Sequence, residues 1–271
     1  MMQPASGPGS MAVPEMNRGE EHLTSWLRPG VAFPDWSVIT SASARAALVA
    51  MLEAAWDRRA WQDYTPAEDA VRRTILELYR ELRRAPSTEE IARRADIASD
   101  QVCMLLERLA ARDLIVLDGE RITGAYPLTD RPTEHRVRVG ERPLHAMCAI
   151  DALGIGAMYG TNTIIESQCR LCRAAIEVTT VHDGRRVDAV LPVEAVVFAG
   201  TGYRGSCAAT SLCTTIAFFC GDAHLSAWRS GRSLEGRGFR LSIEEAFQVG
   251  RASFGPALVP PFSEVRSEAT L

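Results

Sequence analysis

Residues 99–126 read SDQVCMLLERLAARDLIVLDGERITGAY. Val102, Leu105, Leu106 and Leu109 recur at helical spacing and make one apolar stripe, with Ser99 standing where an N-cap belongs. Residues 114–117 are apolar and β-prone, Asp118-Gly119 offers the positive φ angles of a tight primed turn, and residues 121–126 return as a second strand. The stretch therefore predicts a helix followed by a β-hairpin.

Working toward the N-terminus, Ser87 with Glu90 three residues on has the form of a capping box that opens a short helix through Ala95. Residues 66–84 place Val71, Ile75, Leu78 and Leu82 on one helical face, and residues 41–56 carry a second amphipathic pattern. Helices followed by a hairpin give the winged-helix order. In a DNA-binding version the 99–112 helix would enter the major groove, but it begins Ser-Asp-Gln and holds Arg only at Arg108 and Arg112, whereas groove insertion needs basic or amide side chains near the helix start. A helical module packed on an enzyme body is the favoured reading, and DNA is not an expected partner. Residues 1–20, rich in Gly, Pro, Ser and Met, read as a disordered leader.

Working toward the C-terminus, residues 130–140 are polar and contain Pro, which sets an expected boundary near Arg142. Residues 144–159 are apolar enough for a buried helix. Residues 164–168 and 175–181 are strand-like and flanked by a His182-Asp183-Gly184 turn. A strand region over 187–198 is interrupted at Pro192, and a strand at 214–219, a short helix at 223–230, a strand at 239–243 and a helical turn at 244–247 follow. The expected fold class is α+β, with a helical, winged-helix-like domain over 21–141 and a mixed α/β catalytic domain over 142–271.

The chain has 271 residues, of which 46% are hydrophobic and 24% charged, which excludes a wholly disordered or collagen-like protein. Every one of its 30 basic residues is Arg, and the net charge of −4 gives no whole-chain reason to expect a nucleic acid or an anionic membrane. Its apolar runs fall short of the roughly 20 residues a bilayer requires. Seven Cys, an odd number, and no secretory signal point to a reducing, cytoplasmic setting in which thiols stay free.

Among those thiols, Cys148-Ala149-Ile150-Asp151 is the most informative group. On a helix, positions three apart share a face, so a soft sulfur would sit beside a carboxylate that apolar surroundings keep protonated. Cys213 precedes the apolar run 216–219, where a core cysteine would also be at home. Cys169 and Cys172 form one C-x-x-C, which could be half of a zinc site, completed by Cys207 or Cys220, or else a redox pair, a hairpin feature or a soft-metal handoff site. His145 reads as a pocket-wall residue one helical turn before Cys148, and Cys103 as core of the N-terminal module. No phosphate-binding glycine loop, Ser-His-Asp order or H-E-x-x-H motif occurs, and no organic cofactor is called for.

The segment LHAMCAIDAL at 144–153, Ser167-Gln168-Cys169, Ser211-Leu212-Cys213 leading to Phe218-Phe219, and Trp228 with Gly231 ahead of Glu245-Ala246-Phe247 together resemble the alkylmercury (organomercurial) lyases. The similarity runs from about Ala70 to Phe247 and takes in the winged-helix-like module. It implies protonolysis of a carbon–mercury bond to a hydrocarbon and Hg(II), with Cys148 as first thiol on mercury, Cys213 as second and Asp151 as the acid that protonates carbon. In the same pattern Cys169 is structural. Cys148, Cys213 and Asp151 would hold mercury only transiently, as substrate and product, and a cellular thiol or a mercuric reductase would accept the Hg(II).

Departures from the family pattern are Met147 in place of an aromatic residue, Thr214 after the second thiol, Cys172 beside Cys169, and the long segment before Tyr64. Two other readings fit the same residues: a metal-responsive winged-helix regulator, and a lyase-like enzyme recruited to another substrate. The first should shift its own promoter DNA in a gel, and a lyase should not.

Overall fold

The structure, a computed structural model, describes residues 28, 31–55, 63–140, 142–205, 207–230 and 237–261. The expected leader at 1–20, Trp56 and Gly231 lie outside the described residues.

Local signals at helix starts account for most of the helices. Helix α1 is Ala42–Ala55. Helix α2, Pro66–Leu82, begins on a complete capping box, the Glu68 amide donating to Thr65 Oγ1 at 3.2 Å and the Thr65 amide to the Glu68 carboxylate at 2.8 Å, with Pro66 in the first turn. The Ser87–Glu90 box opens α3, Thr88–Ala95, as its sequence predicts. Helix α4, Ser99–Ala111, departs from expectation at its start: Ala98 is the N-cap, without a side-chain bond, and Ser99 is already helical. The cause is the short connection, because Asp96 ends α3 in a left-handed conformation (φ 55°) and leaves only Ile97 and Ala98 to turn the chain.

The hairpin follows, with β1 at Ile115–Asp118 and β2 at Arg121–Ala125. Asp118 pairs with Arg121, so the loop is Gly119-Glu120, one residue later than read from sequence, and Gly119 supplies the positive φ of 61°. Strands β3 (Leu128–Thr129), β4 (Arg136–Arg138), β5 (Pro143–Ala146), β6 (Ile164–Gln168), β7 (Ala175–Val181) and β8 (Arg186–Leu191) extend the same sheet in the antiparallel order β1-β2-β3-β5-β4-β6-β7-β8. The polar stretch 130–140 thus contains a strand paired on both sides; its polarity is the exposed half of an alternation in which Val137 is buried between Arg136 and Arg138.

A second, three-stranded antiparallel sheet has β9 (Val196–Gly200) at its centre, flanked by β10 (Ala217–Phe219) and β11 (Gly238–Ser242). All five β9 residues are buried, as a central strand covered on both faces requires. Helices α5 (Ala149–Tyr159), α6 (Asp222–Ser230) and α7 (Ile243–Phe254) complete a mixed α+β fold.

The buried helix expected over 144–159 is in fact two elements. Residues 143–146 are pinned as strand β5 between β3 and β4, and the helix starts only at Ala149. An apolar run alone cannot separate a buried strand from a buried helix. Helix α5 is almost wholly buried and lies against α7 at a glycine contact, where a Cβ on Gly154 would sit 2.6 Å from the Gly250 carbonyl oxygen. That close approach fixes the axis of the helix whose first turn carries Cys148 and Asp151. Among the described residues no helix is long and apolar enough to cross a membrane.

Candidate functional site

Cys148 occupies the junction between β5 and α5 as the N-cap of the helix, in extended backbone (φ −150°, ψ 179°). Its sulfur takes the place of a capping oxygen and accepts the Asp151 amide at 3.4 Å. Because the N-terminus of a helix carries exposed N–H groups and partial positive charge, this position favours a thiolate. The thiol and the carboxylate are brought together by capping, therefore, rather than by sharing a helical face as the spacing implied.

Cys213 arrives from the other side. The strand expected over 214–219 begins only at Ala217; Cys213–Thr215 is a short 3-10 turn, pinned by the Cys213 amide donating to Ala208 O at 2.8 Å. The turn aims the Cys213 thiol at Asp151 Oδ2, 3.7 Å away. One ligand atom from each of Cys148, Asp151 and Cys213 lies within 4.8 Å of the others, and the three residues are 1%, 4% and 5% exposed.

Burial decides the protonation of this group. It pushes the Asp151 carboxyl up to about 7, against the opposing hydrogen bonds from both thiols. Burial also raises the Cys148 thiol, while the hydrogen bond from Cys213 and the Asp151 amide pull it back. Cys213 is raised well above an ordinary thiol, first by its hydrogen bond to Cys148 and then by burial beside Asp151. The site therefore holds two soft ligands and a carboxyl that is partly protonated near neutral pH, the condition a general acid needs.

The loop bearing Cys213 is fastened to the N-terminal half by residues that sequence reading did not single out. Asp113, in left-handed backbone (φ 54°) between α4 and β1, accepts hydrogen bonds from Tyr126 Oη (2.8 Å), Tyr203 Oη (3.0 Å) and the Ala208 amide (2.7 Å). Tyr126 Oη in turn accepts the Ala209 amide at 2.8 Å. An Asp with a small polar side chain is the residue type that tolerates positive φ and serves backbone amides, so an Asp directly before an apolar strand was the available signal. A cleft of about 550 Å³, lined by Thr201, Arg204, Ser211, Thr214 and Arg237, runs along the same loop.

The remaining thiols and His145 sort differently. Cys103 is exposed, not core, because it falls outside the 102, 105, 106, 109 stripe of α4. His145 lies on β5 rather than on a helix, accepts the Thr133 amide at 3.3 Å, and lines a separate cavity of about 270 Å³ with Tyr79 and Asp130. Cys169, Cys172 and Cys220 gather with His224 into a second group whose ligand atoms also lie within 4.8 Å of one another, and Cys207 is not among them. Burial opposes ionisation of Cys169, but the amides of Cys172, Cys220 and Leu171 and the His224 side chain bring it down to about 6. His224 escaped the sequence reading because its partner Cys220 lies at the end of a strand, four residues before it, and the C-x-x-x-H spacing spans the change of element.

Known proteins bear directly on this arrangement. A sequence model of the alkylmercury lyase family matches residues 128–255. An alkylmercury lyase of Staphylococcus epidermidis is 29% identical over 163 residues, covering 60% of this chain and 72% of its own length. One of Bacillus cereus is 28% identical over 163 residues, with 60% and 71% covered. Over this segment the chain is similar to the alkylmercury lyases. In fold, the chain is similar to the mercury-bound form of MerB2, with a TM-score of 0.62 at 22% identity over 80% of this chain and 100% of that one. The matched segment of the chain contains Cys148, Asp151 and Cys213 as well as the second thiol group.

Proposed function

We infer that the protein is an organomercurial lyase that cleaves a carbon–mercury bond by protonolysis, releasing a hydrocarbon and leaving Hg(II), and we propose that Cys148, Cys213 and Asp151 carry the reaction. The observation that carries the assignment of residues is the buried carboxyl in contact with two buried thiols.

Mercury is soft and prefers two sulfur ligands. Cys148 displaces the ligand X of R-Hg-X, and the thiol proton leaves with it as HX. The Cys213 proton passes to Asp151 along the 3.7 Å contact, and the freed sulfur becomes the second ligand. Donation from two thiolates strengthens negative charge on the mercury-bound carbon, to which Asp151 returns the proton as the carbon–mercury bond breaks. Carbon leaves as RH, and Hg(II) remains between the sulfurs. The two thiol protons appear in HX and RH, so the cycle balances. Enclosure of all three groups removes competing water and fixes their orientation.

The cleft beside the Cys213 loop is the proposed approach for a small organomercurial, and a cellular thiol or a mercuric reductase the proposed acceptor of Hg(II), in a cytoplasmic detoxification role. The winged-helix-like order of residues 21–141 is read as a scaffold for the catalytic residues of 142–271. Arg108 and Arg112 both pair with the buried Glu68 carboxylate, which supports packing over DNA contact. Headspace gas chromatography tests the proposal: Cys148→Ser and Cys213→Ser should each release no methane from methylmercury. Full turnover by either variant overturns the residue assignment.

A further inference from the structure

The second thiol group stands apart from the chemistry just described. It is assembled from two separate hairpin-like pieces of chain: the β6–β7 loop supplies Cys169 and Cys172, and the exit of β10 with the first turn of α6 supplies Cys220 and His224. The loop is folded back on itself, with the Cys169 amide donating to Ala174 O at 2.8 Å, the Arg173 amide to Cys169 O at 2.9 Å, and Arg173 in left-handed backbone (φ 65°). This turn directs the Leu171 and Cys172 amides at the Cys169 sulfur, and the Cys220 amide reaches it from the other piece. N–H groups converging on a sulfur stabilise it as a thiolate.

Two opposite edges of the group have the length of tetrahedron edges. With zinc–sulfur bonds of about 2.3 Å and zinc–nitrogen bonds of about 2.0–2.1 Å, tetrahedral angles put two sulfurs about 3.8 Å apart and sulfur and nitrogen about 3.6 Å apart. Cys172 Sγ and Cys220 Sγ are 3.7 Å apart, and Cys169 Sγ and His224 Nδ1 are 3.5 Å apart. A disulfide requires about 2.0 Å between sulfurs, so the Cys172–Cys220 pair is not one. Four ligand atoms, three sulfur and one nitrogen, fill a closed tetrahedral set and leave no position for a substrate.

We propose that Cys169, Cys172, Cys220 and His224 form a structural zinc(II) site, independent of the mercury-binding thiols. The site clamps the β6–β7 loop to the segment leaving the active-site turn. Arg170, inside the loop, already reaches that segment, its amide donating to Phe218 O at 2.9 Å and its guanidinium to Thr214 O at 3.0 Å. Zinc would thereby brace the residue that follows Cys213.

Metal analysis of the full-length protein purified without mercury tests this. About one zinc per chain is expected, retained in Cys148→Ser and Cys213→Ser and lost in Cys172→Ser and His224→Ala. Because those last variants can lose metal by misfolding, zinc-stripped wild type should also be titrated with cobalt(II). The intense visible bands of tetrahedral cobalt with thiolate charge transfer should saturate at about one equivalent and be reversed by zinc. Zinc below roughly a tenth of an equivalent together with no tetrahedral cobalt spectrum overturns the proposal. So does loss of zinc on mutating Cys148 or Cys213, a purified mass two hydrogens light from a Cys172–Cys220 disulfide, or occupancy by Hg(II) alone. Lyase activity enters none of these readouts, so they stand or fall apart from the assignment of function.

Discussion

Replacing Asp151 with Asn should stabilise the protein, and by an amount that depends on pH. The folded carboxyl titrates at about 7 against an ordinary 3.8. A raised folded pKa means that folding favours the protonated form, so stability is full below the unfolded value and is lost as pH climbs toward the folded one. At 1.36 kcal/mol per unit, the total loss is about 4 kcal/mol above pH 7, and the part falling between pH 5 and pH 8 is about 3 kcal/mol. Asn keeps the shape and never ionises. Cys148 and Cys213, the titratable groups facing Asp151, are both raised and stay protonated through this window. The stability of Asp151→Asn relative to wild type should therefore grow by about 3 kcal/mol between pH 5 and pH 8, a difference of roughly 6–12 °C in melting temperature for a protein of this size. Urea unfolding at pH 5, 6, 7 and 8, reduced and free of mercury, measures it. A difference that stays flat within about 0.5 kcal/mol across the range refutes the burial argument for a neutral Asp151. The same variant should bind mercury through both thiols and release no hydrocarbon.

Four further outcomes follow from the packing and the hydrogen bonds. Wild-type turnover should fall as pH drops below about 7, since the carboxylate form of Asp151 that takes the Cys213 proton is consumed there, and a rate undiminished at pH 5 would contradict this role for the carboxyl. Gly154→Ala forces a methyl onto the Gly250 carbonyl and should cost about 1–3 kcal/mol in chemical denaturation. Asp113→Ala strips the Tyr126, Tyr203 and Ala208 partners at once and should cost about 2–4 kcal/mol, with proteolysis of the 201–212 loop accelerating before global unfolding. Asp69→Ala leaves the buried Arg28 without its carboxylate (2.6 Å in the native protein) and should cost about 3–5 kcal/mol by urea melts.

Where sequence carried a physical signal close along the chain, it was readable. The Ser87–Glu90 box, the stripe on α4, and the strands at 164–168 and 175–181 each depend on neighbours within a few residues, and each lies where its pattern placed it. The pairing of Cys148 with Asp151 was legible for the same reason. Cys213 could be joined to them only through family resemblance, since no spacing rule spans the 62 residues between it and Asp151. The errors lie where tertiary pairing overrides local character. Residues 144–146 look helical but are claimed by β3 and β4, and Ser99 looks like a cap but enters the helix because Asp96 turns the chain early. Asp113 carried a local turn signal, but its partners and those of His224 were illegible, as they lie on other elements.

The Asp113 hub also bears on how such a protein can change over generations. Its carboxylate belongs to the helix-and-hairpin half, while two of the groups it holds, Tyr203 and the Ala208 amide, belong to the half with Cys148 and Cys213. A recombination event that exchanged one half for an unrelated module would discard the anchor for Cys213 along with it. The Cys213 loop therefore takes its position from a residue of the other half, through Asp113 and Tyr126.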